Sequence, residues 1–196
     1  VADGNELARR FSARVVRDAF RGPIDLLECA DADAVSQAWE TPPAPGEFRL
    51  LLVDLGLPPG GAERLLRPHA PATVQVVTLL YADDEALFPL LLAGADGYLL
   101  KEDRYESMVE QLQRIAQGWP PITPALARQA QARLGTPTTG ADAASALSPD
   151  EGQLLSHLSK GFTLREVAQQ LKVEPRAAAA LVRSVYRKLR SPATAA

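Results

Sequence analysis

Apolar residues recur along the first 120 positions in two rhythms, one helical and one strand-like. Within residues 5–20, Leu7, Phe11, Val15, Val16 and Phe20 share one face of a helix, with Arg9, Arg10, Arg14, Arg17 and Asp18 mostly opposite. Gly22-Pro23 ends that helix, and residues 24–28 read as a short strand. Asp31 is placed to cap a helix that runs through Val35 to Trp39. Residues 41–46, Thr-Pro-Pro-Ala-Pro-Gly, exclude regular structure and predict a loop. Residues 48–54 form a β-compatible run that stops at Asp54 and then breaks into Gly and Pro, the pattern of a buried strand. A helix near 62–66, a strand over 74–80, a helix over 83–93 interrupted at Pro89, a strand over 97–100 and a helix over 104–117 follow. Strands alternating with helices predict a doubly wound α/β domain, its parallel sheet covered on both faces.

The rhythm changes after Trp119-Pro120-Pro121, which breaks the last helix of that domain. Residues 124–134 can form one short helix, and residues 135–146 are small and polar, as in a flexible tether. Ser148, Pro149 and Glu151 then supply an N-cap, a first-turn proline and the return residue of a capping box. Leu154, Leu155 and Leu158 make the buried face of this helix, and Gly161 stops it. Thr163 caps a second helix with Val167, Ala168 and Leu171 inward. Lys172-Val173-Glu174 is a turn, and residues 175–189 are a third helix striped by Val182, Val185 and Leu189. The division is residues 1–118, a linker over 119–146 with a short helix, and a small all-α domain over 147–196.

Composition narrows the class of protein. No apolar run approaches the ~18 residues that a membrane span needs, and no basic segment followed by an apolar stretch marks a signal peptide. Cys29 is the one cysteine, which excludes an internal disulfide and fits a reducing, cytoplasmic setting. The net charge of −3 hides an asymmetry: residues 148–196 hold eight Lys/Arg against four acids, so that piece is +4 and the remainder −7. A basic C-terminal module beside an acidic N-terminal one is compatible with nucleic-acid binding. His69 and His157 stand apart with no evident nucleophile between them and read as surface residues, which leaves no catalytic constellation and no enzyme.

The chemistry concentrates in two charged residues that end strands. Asp54 would be delivered to the carboxyl edge of the sheet, where α/β proteins place their sites. Lys101 ends the stretch A-G-A-D-G-Y-L-L-K of residues 93–101 in the same way. On these motifs, residues 1–118 resemble a two-component receiver domain, and the 93–101 stretch is similar to receivers of the NarL/FixJ class of response regulators. Residues 147–190 resemble the LuxR-type helix-turn-helix of that class. The resemblance implies a five-stranded, flavodoxin-like receiver followed by a helix-turn-helix, acting in phosphorelay signalling as a cytoplasmic transcriptional regulator. It implies that Asp54 accepts a phosphoryl group, that Lys101 pairs with it, and that Asp3, Asp54 and the Gly56 carbonyl hold Mg²⁺. It implies a sensor histidine kinase and DNA as partners, and a homodimer formed through the receiver or the linker.

Several positions depart from the pattern. Only Val1-Ala2 precede Asp3, where receivers carry a whole strand, so the chain reads as truncated or renumbered there. Ala2 stands where the family has the first acid of its acidic pair, which predicts weakened Mg²⁺ binding. The switch hydroxyl of the family falls at Leu79 by an ungapped count back from Lys101, with Thr78 one residue away on the other face. Tyr98 matches the aromatic partner of that switch. In the helix-turn-helix the resemblance directs Thr163, Arg165, Arg176, Arg183, Arg187 and Lys188 to DNA. The stretch Arg176-Ala177-Ala178-Ala179-Ala180 can touch thymine methyls but offers only Arg176 as a base donor, so specificity is expected to be weak. Seven residues after Leu189, including Pro192, supply no fourth helix. The alternative is a pseudo-receiver adaptor that signals by protein or small-molecule binding.

Overall fold

The structure, a computed structural model, describes residues 1–39, 44, 46–58, 60–67, 72–135 and 146–190. Most of the Pro-rich loop, His69, most of the tether and the residues beyond 190 lie outside the described residues. The chain separates into two compact units. One comprises Val1–Asp83 with Ala93–Gln117, the other Asp84–Leu92 with Gly118–Ala196.

The first unit is built on three parallel strands, β1 (Arg49–Asp54), β2 (Thr73–Leu79) and β3 (Gly97–Leu100), in the order β1-β2-β3. The register pairs Asp54 with Thr78 and Thr78 with Leu99. Its helices are α1 (Glu6–Ala19), α2 (Ala32–Trp39), α3 (Gly61–Leu65) and α5 (Tyr105–Ala116); α4 (Asp84–Ala93) runs through Pro89. Asn5 accepts from the Ala8 amide to start α1, and Asp31 accepts from the Ala34 amide to start α2. Side chains alternate across a strand, so Leu52, Val76 and Leu99 share one face. They pack there with Val15, Val16 and Ala19 of α1 and Met108, Leu112 and Ile115 of α5. Each buried Val, Leu, Ile or Met side chain there stabilises by roughly 1.5–3 kcal/mol. Leu51 lies on the other face and lines a small space with Val35 of α2 and Leu65 of α3.

The expected five-stranded sheet is, among the described residues, a three-stranded one extended by isolated bridges. Ala2 bridges in parallel to Val53 on one side and to Cys29 on the other. Residues 24–28, expected as a strand, are not one; only Cys29 enters the ladder. A strand exists by pairing, and residues 24–28 take no place in a ladder.

The second unit continues with α6 (Pro124–Leu134), α7 (Pro149–Leu158), α8 (Leu164–Gln170) and α9 (Pro175–Arg190). Both Ser148–Glu151 and Thr163–Glu166 form complete capping boxes. Leu154, Leu155, Val167, Val182 and Val185 are fully buried at the centre of the helical module. Ala178 and Ala179 are buried with them, so two of the four alanines fill the space between helices instead of facing outward. The turn between α8 and α9 closes with Lys172 at a φ of 55°, its amide donating to the Gln169 carbonyl and that of Val173 to Ala168. A side chain at left-handed φ is strained where glycine is not. Lys172→Gly is therefore expected to raise stability by about 0.5–1 kcal/mol, read as a higher melting temperature. An unchanged or lower one would contradict the strain.

Candidate functional site

Three adjacent segments deliver three charged side chains to the carboxyl edge of the sheet. The Asp54 amide donates to the Ala2 carbonyl and the Leu55 amide to Thr78, so the end of β1 is gripped from both sides. The Asp3 amide donates to Cys29, and the Lys101 amide donates to Leu79 just past the end of β3. The side chains converge. Lys101 Nζ lies 2.6 Å from Asp3 Oδ2 and 2.6 Å from Asp54 Oδ1, so one ammonium bridges two carboxylates. The three side chains are only 2%, 11% and 15% exposed for Asp3, Asp54 and Lys101. At such depth charges persist only when paired. Burial pulls the Lys101 pKa down, but hydrogen bonds and attraction to Asp3 and Asp54 outweigh it, and the net shift is upward.

Further contacts hold Asp3, and the pattern of the sequence did not announce them. Its Oδ1 accepts from the Asn5 amide at 2.8 Å, and its carbonyl accepts from Arg9 Nη1 at 2.6 Å. Asn5 thus caps α1 and steadies the acid two residues before it. A three-residue Asp-x-Asn spacing carries too little signal to reveal this.

The structure decides between Thr78 and Leu79. Thr78 Oγ1 is 3.5 Å from Asp54 Oδ1, long for a hydrogen bond but on the same face and in ladder register. Leu79 is buried on the opposite face, as alternation requires. The count from Lys101 misplaces the hydroxyl because it crosses a loop and a helix, whose lengths vary. The ladder to β1 contains no such slack. Tyr98 pairs with Val77 and is buried on the face away from Asp54.

Hard oxygen donors suit Mg²⁺, which takes few carboxylates and several waters. Among the described residues no group of three His, Cys, Asp or Glu could hold a metal. Two carboxylates, Asp3 and Asp54, do meet at this edge, both paired with Lys101. Gly56 suits such a site, since a Cβ there would lie 2.7 Å from Asp54 Oδ2 and crowd the carboxylate. Ala2 is 1% exposed and locked between Cys29 and Val53, leaving no acid at its position.

In the helical module the six basic or capping residues separate into groups. Arg165 and Arg176 are exposed, and so is Arg187. Thr163 is spent on the α8 cap: its hydroxyl accepts from the Glu166 amide and donates to Glu166 Oε2 at 2.8 Å. Lys188 is not a free surface cation as expected. It lies 2.6 Å from buried Glu151 Oε2 and donates to the Ala146 carbonyl at 2.6 Å, tying α9 to the start of α7. Arg183 Nη1 donates to the Gly118 carbonyl, and Tyr186 to Pro121, so this side of α9 is occupied by the segment before α6. Arg176, Arg183 and Arg187 lie at i, i+7 and i+11 and form one stripe along α9. His157 is half-buried rather than on the surface, its ring edge-on to Phe162.

No family model matches the chain. It is 27% identical over 161 residues to the DNA-binding transcriptional activator DevR/DosR of Mycobacterium tuberculosis, covering 77% of this chain and 74% of that one. It is 26% identical over 192 residues to a nitrate/nitrite response regulator homologue of Haemophilus influenzae, covering 95% and 87%. The chain is a homologue of the NarL/FixJ-class response regulators. Its fold agrees with a solved structure of the Salmonella typhimurium RcsB response regulator, at a TM-score of 0.51 and 19% identity over 96% of this chain and 89% of that one. Asp54, Lys101 and Thr78 lie together at the carboxyl edge of the sheet. No described helix is long and apolar enough to cross a membrane.

Proposed function

We propose that the chain is a cytoplasmic two-component response regulator, not an enzyme, in which phosphorylation of Asp54 controls DNA binding by the helix-turn-helix. What carries the reading is the convergence of Asp54 and Asp3 on Lys101 at 2.6 Å each, with the Thr78 hydroxyl beside them. An Asp54 carboxylate oxygen attacks the phosphorus of a phosphohistidine on the sensor kinase. The P–N bond breaks, and the departing imidazole takes up a proton. Lys101 then moves its charge to the phosphoryl oxygens, a countercharge fixed in a dry site before the reaction starts. Mg²⁺, held by Asp3, Asp54 and the Gly56 carbonyl, would supply further positive charge. Thr78 supplies the hydroxyl that responds to the new oxygens, which removes one of the two departures that favoured an adaptor.

DNA binding would rest on Arg165, Arg176 and Arg187, with Arg183 joining once it leaves Gly118. Contacts of this kind go largely to phosphates, and they position the protein more than they specify sequence. A homodimer through the first unit would double the contacts. The deciding experiment is treatment with acetyl phosphate and Mg²⁺, read by intact mass, with Asp54→Ala as control, followed by DNA binding across a salt series. A mass gain of one phosphoryl group that needs Asp54, and a steep salt slope that changes with it, are expected. No gain at millimolar Mg²⁺ would overturn the receiver chemistry, and a flat slope the DNA contacts.

Gly56→Ala gives an independent test of the site. Its Cβ would force the Asp54 carboxylate to shift. The phosphorylation rate is expected to fall on the order of tenfold or more without loss of folding, as read by circular dichroism. An unchanged rate would show that the Gly56 approach does not matter.

A further inference from the structure

Residues 118–123 lead into α6 as an irregular strap, and two side chains of α9 hold it. The Arg183 guanidinium donates to the Gly118 carbonyl, and the Tyr186 hydroxyl to the Pro121 carbonyl. The donors are three residues apart and so share a face of α9, and the acceptors are three residues apart on the strap. Gly118 is shaped for the contact. Its φ is 84°, and a Cβ there would collide with the Arg183 guanidinium, so glycine alone admits the approach. Pro120 and Pro121 stiffen the strap and keep it out of a helix. Its far end is anchored as well. Thr123 accepts from the Leu126 amide to start α6 and donates to Asp84 Oδ1 of α4 at 2.5 Å.

The strap occupies a flank of α9 that DNA would need. Ala179 and Tyr186, on the same flank as Arg183, are buried, and α6 packs against α9 as well. A recognition helix enters the major groove. That groove is about 12 Å wide, and a helix with its side chains is about 10–12 Å across, so a second segment does not fit beside the helix. With the strap in place, Arg183 is also spent on a carbonyl instead of a phosphate.

We propose, on the DNA-binding reading above, that the strap is a lock on α9 contained within the second unit. DNA binding requires that Arg183 and Tyr186 let go of Gly118 and Pro121. The apparent affinity for DNA is then the intrinsic affinity reduced by the fraction of molecules whose strap is released. Weakening the lock raises that fraction and tightens binding by the same factor.

The test measures binding of the full, unphosphorylated chain to a mixed-sequence duplex of about 30 base pairs at low salt. Wild type is compared with Tyr186→Phe, Gly118→Ala and Asp84→Ala. Tyr186→Phe removes one hydrogen bond of the lock and is expected to tighten binding about twofold to tenfold. Gly118→Ala displaces Arg183 without altering the arginine, and at least as large a gain is expected. Asp84→Ala frees the far end of the strap and leaves the sequence of α9 intact, with a gain in the same direction. Acrylamide quenching of Trp119, in a Trp39→Phe background, reports the strap itself and should rise in every variant. Unchanged or weaker binding by the variants would overturn the lock while DNA binding stands. Tighter binding with Trp119 as shielded as before would overturn it too, since the strap would not have moved. No binding by any form at low salt would overturn the DNA-binding reading and the lock with it.

Discussion

Lys101→Met is expected to cost about 3–5 kcal/mol at pH 7 and to abolish phosphorylation of Asp54. Methionine keeps most of the stem but removes the ammonium that bridges Asp3 and Asp54, leaving two carboxylates close together in a largely buried site. The two like charges then repel across a site that holds little water. The alkaline side carries its own signature. The folded pKa of Lys101 is raised above its unfolded value. Its stabilising contribution is thus fully present below the ordinary lysine value of roughly 10.4, and it is lost as the pH rises through the higher folded value. Urea titrations from neutral pH upward should show the wild type losing this increment and Lys101→Met showing no such loss. Equal stability of the two at pH 7 would show that the bridge is not what holds the site.

Glu151→Ala should act as strongly on the other unit. Glu151 Oε2 accepts from the Ser148 amide at 2.7 Å and from Lys188 Nζ at 2.6 Å, and the residue is 2% exposed. Its loss breaks the capping box and leaves Lys188 with the Ala146 carbonyl but without the Glu151 countercharge. A cost of about 3–5 kcal/mol is comparable to the whole stability of a module of this size. Loss of DNA binding with Asp54 still phosphorylated is the expected result. Glu151→Gln keeps an acceptor for the Ser148 amide and should lose less. Burial raises the Glu151 pKa, but Lys188 and the Ser148 amide outweigh it and lower it overall. The contribution is present above the ordinary carboxylate value and lost as the pH falls through the depressed one. The helical module should therefore weaken on the acid side, with Lys188→Met flattening that limb. A normal helical module in Glu151→Ala would refute the pairing argument.

Local signals were legible where the physics is local. The caps at Ser148 and Thr163, the strand 97–100 and the helix 124–134 depend on neighbours within a few residues, and they emerged almost to the residue. Asp54 and Lys101 were visible because a charge seldom closes a buried apolar run except where a strand reaches the edge of its sheet. Residues 24–28 were misread because composition carries strand propensity but not the ladder pairing that makes a strand.

What the sequence alone determined is the order of elements, the caps that bound them and the two charged strand ends, all set by periodicity and short-range hydrogen bonding. Tertiary structure alone decided that Thr78 rather than Leu79 faces Asp54, since ladder register is set by pairing across 24 residues of chain. It also decided that Lys188 and Arg183 are engaged within the fold, and that two alanines of α9 are core. A basic or small residue reads the same in sequence whether it faces solvent or a carbonyl. Only the packing of distant elements chooses between them.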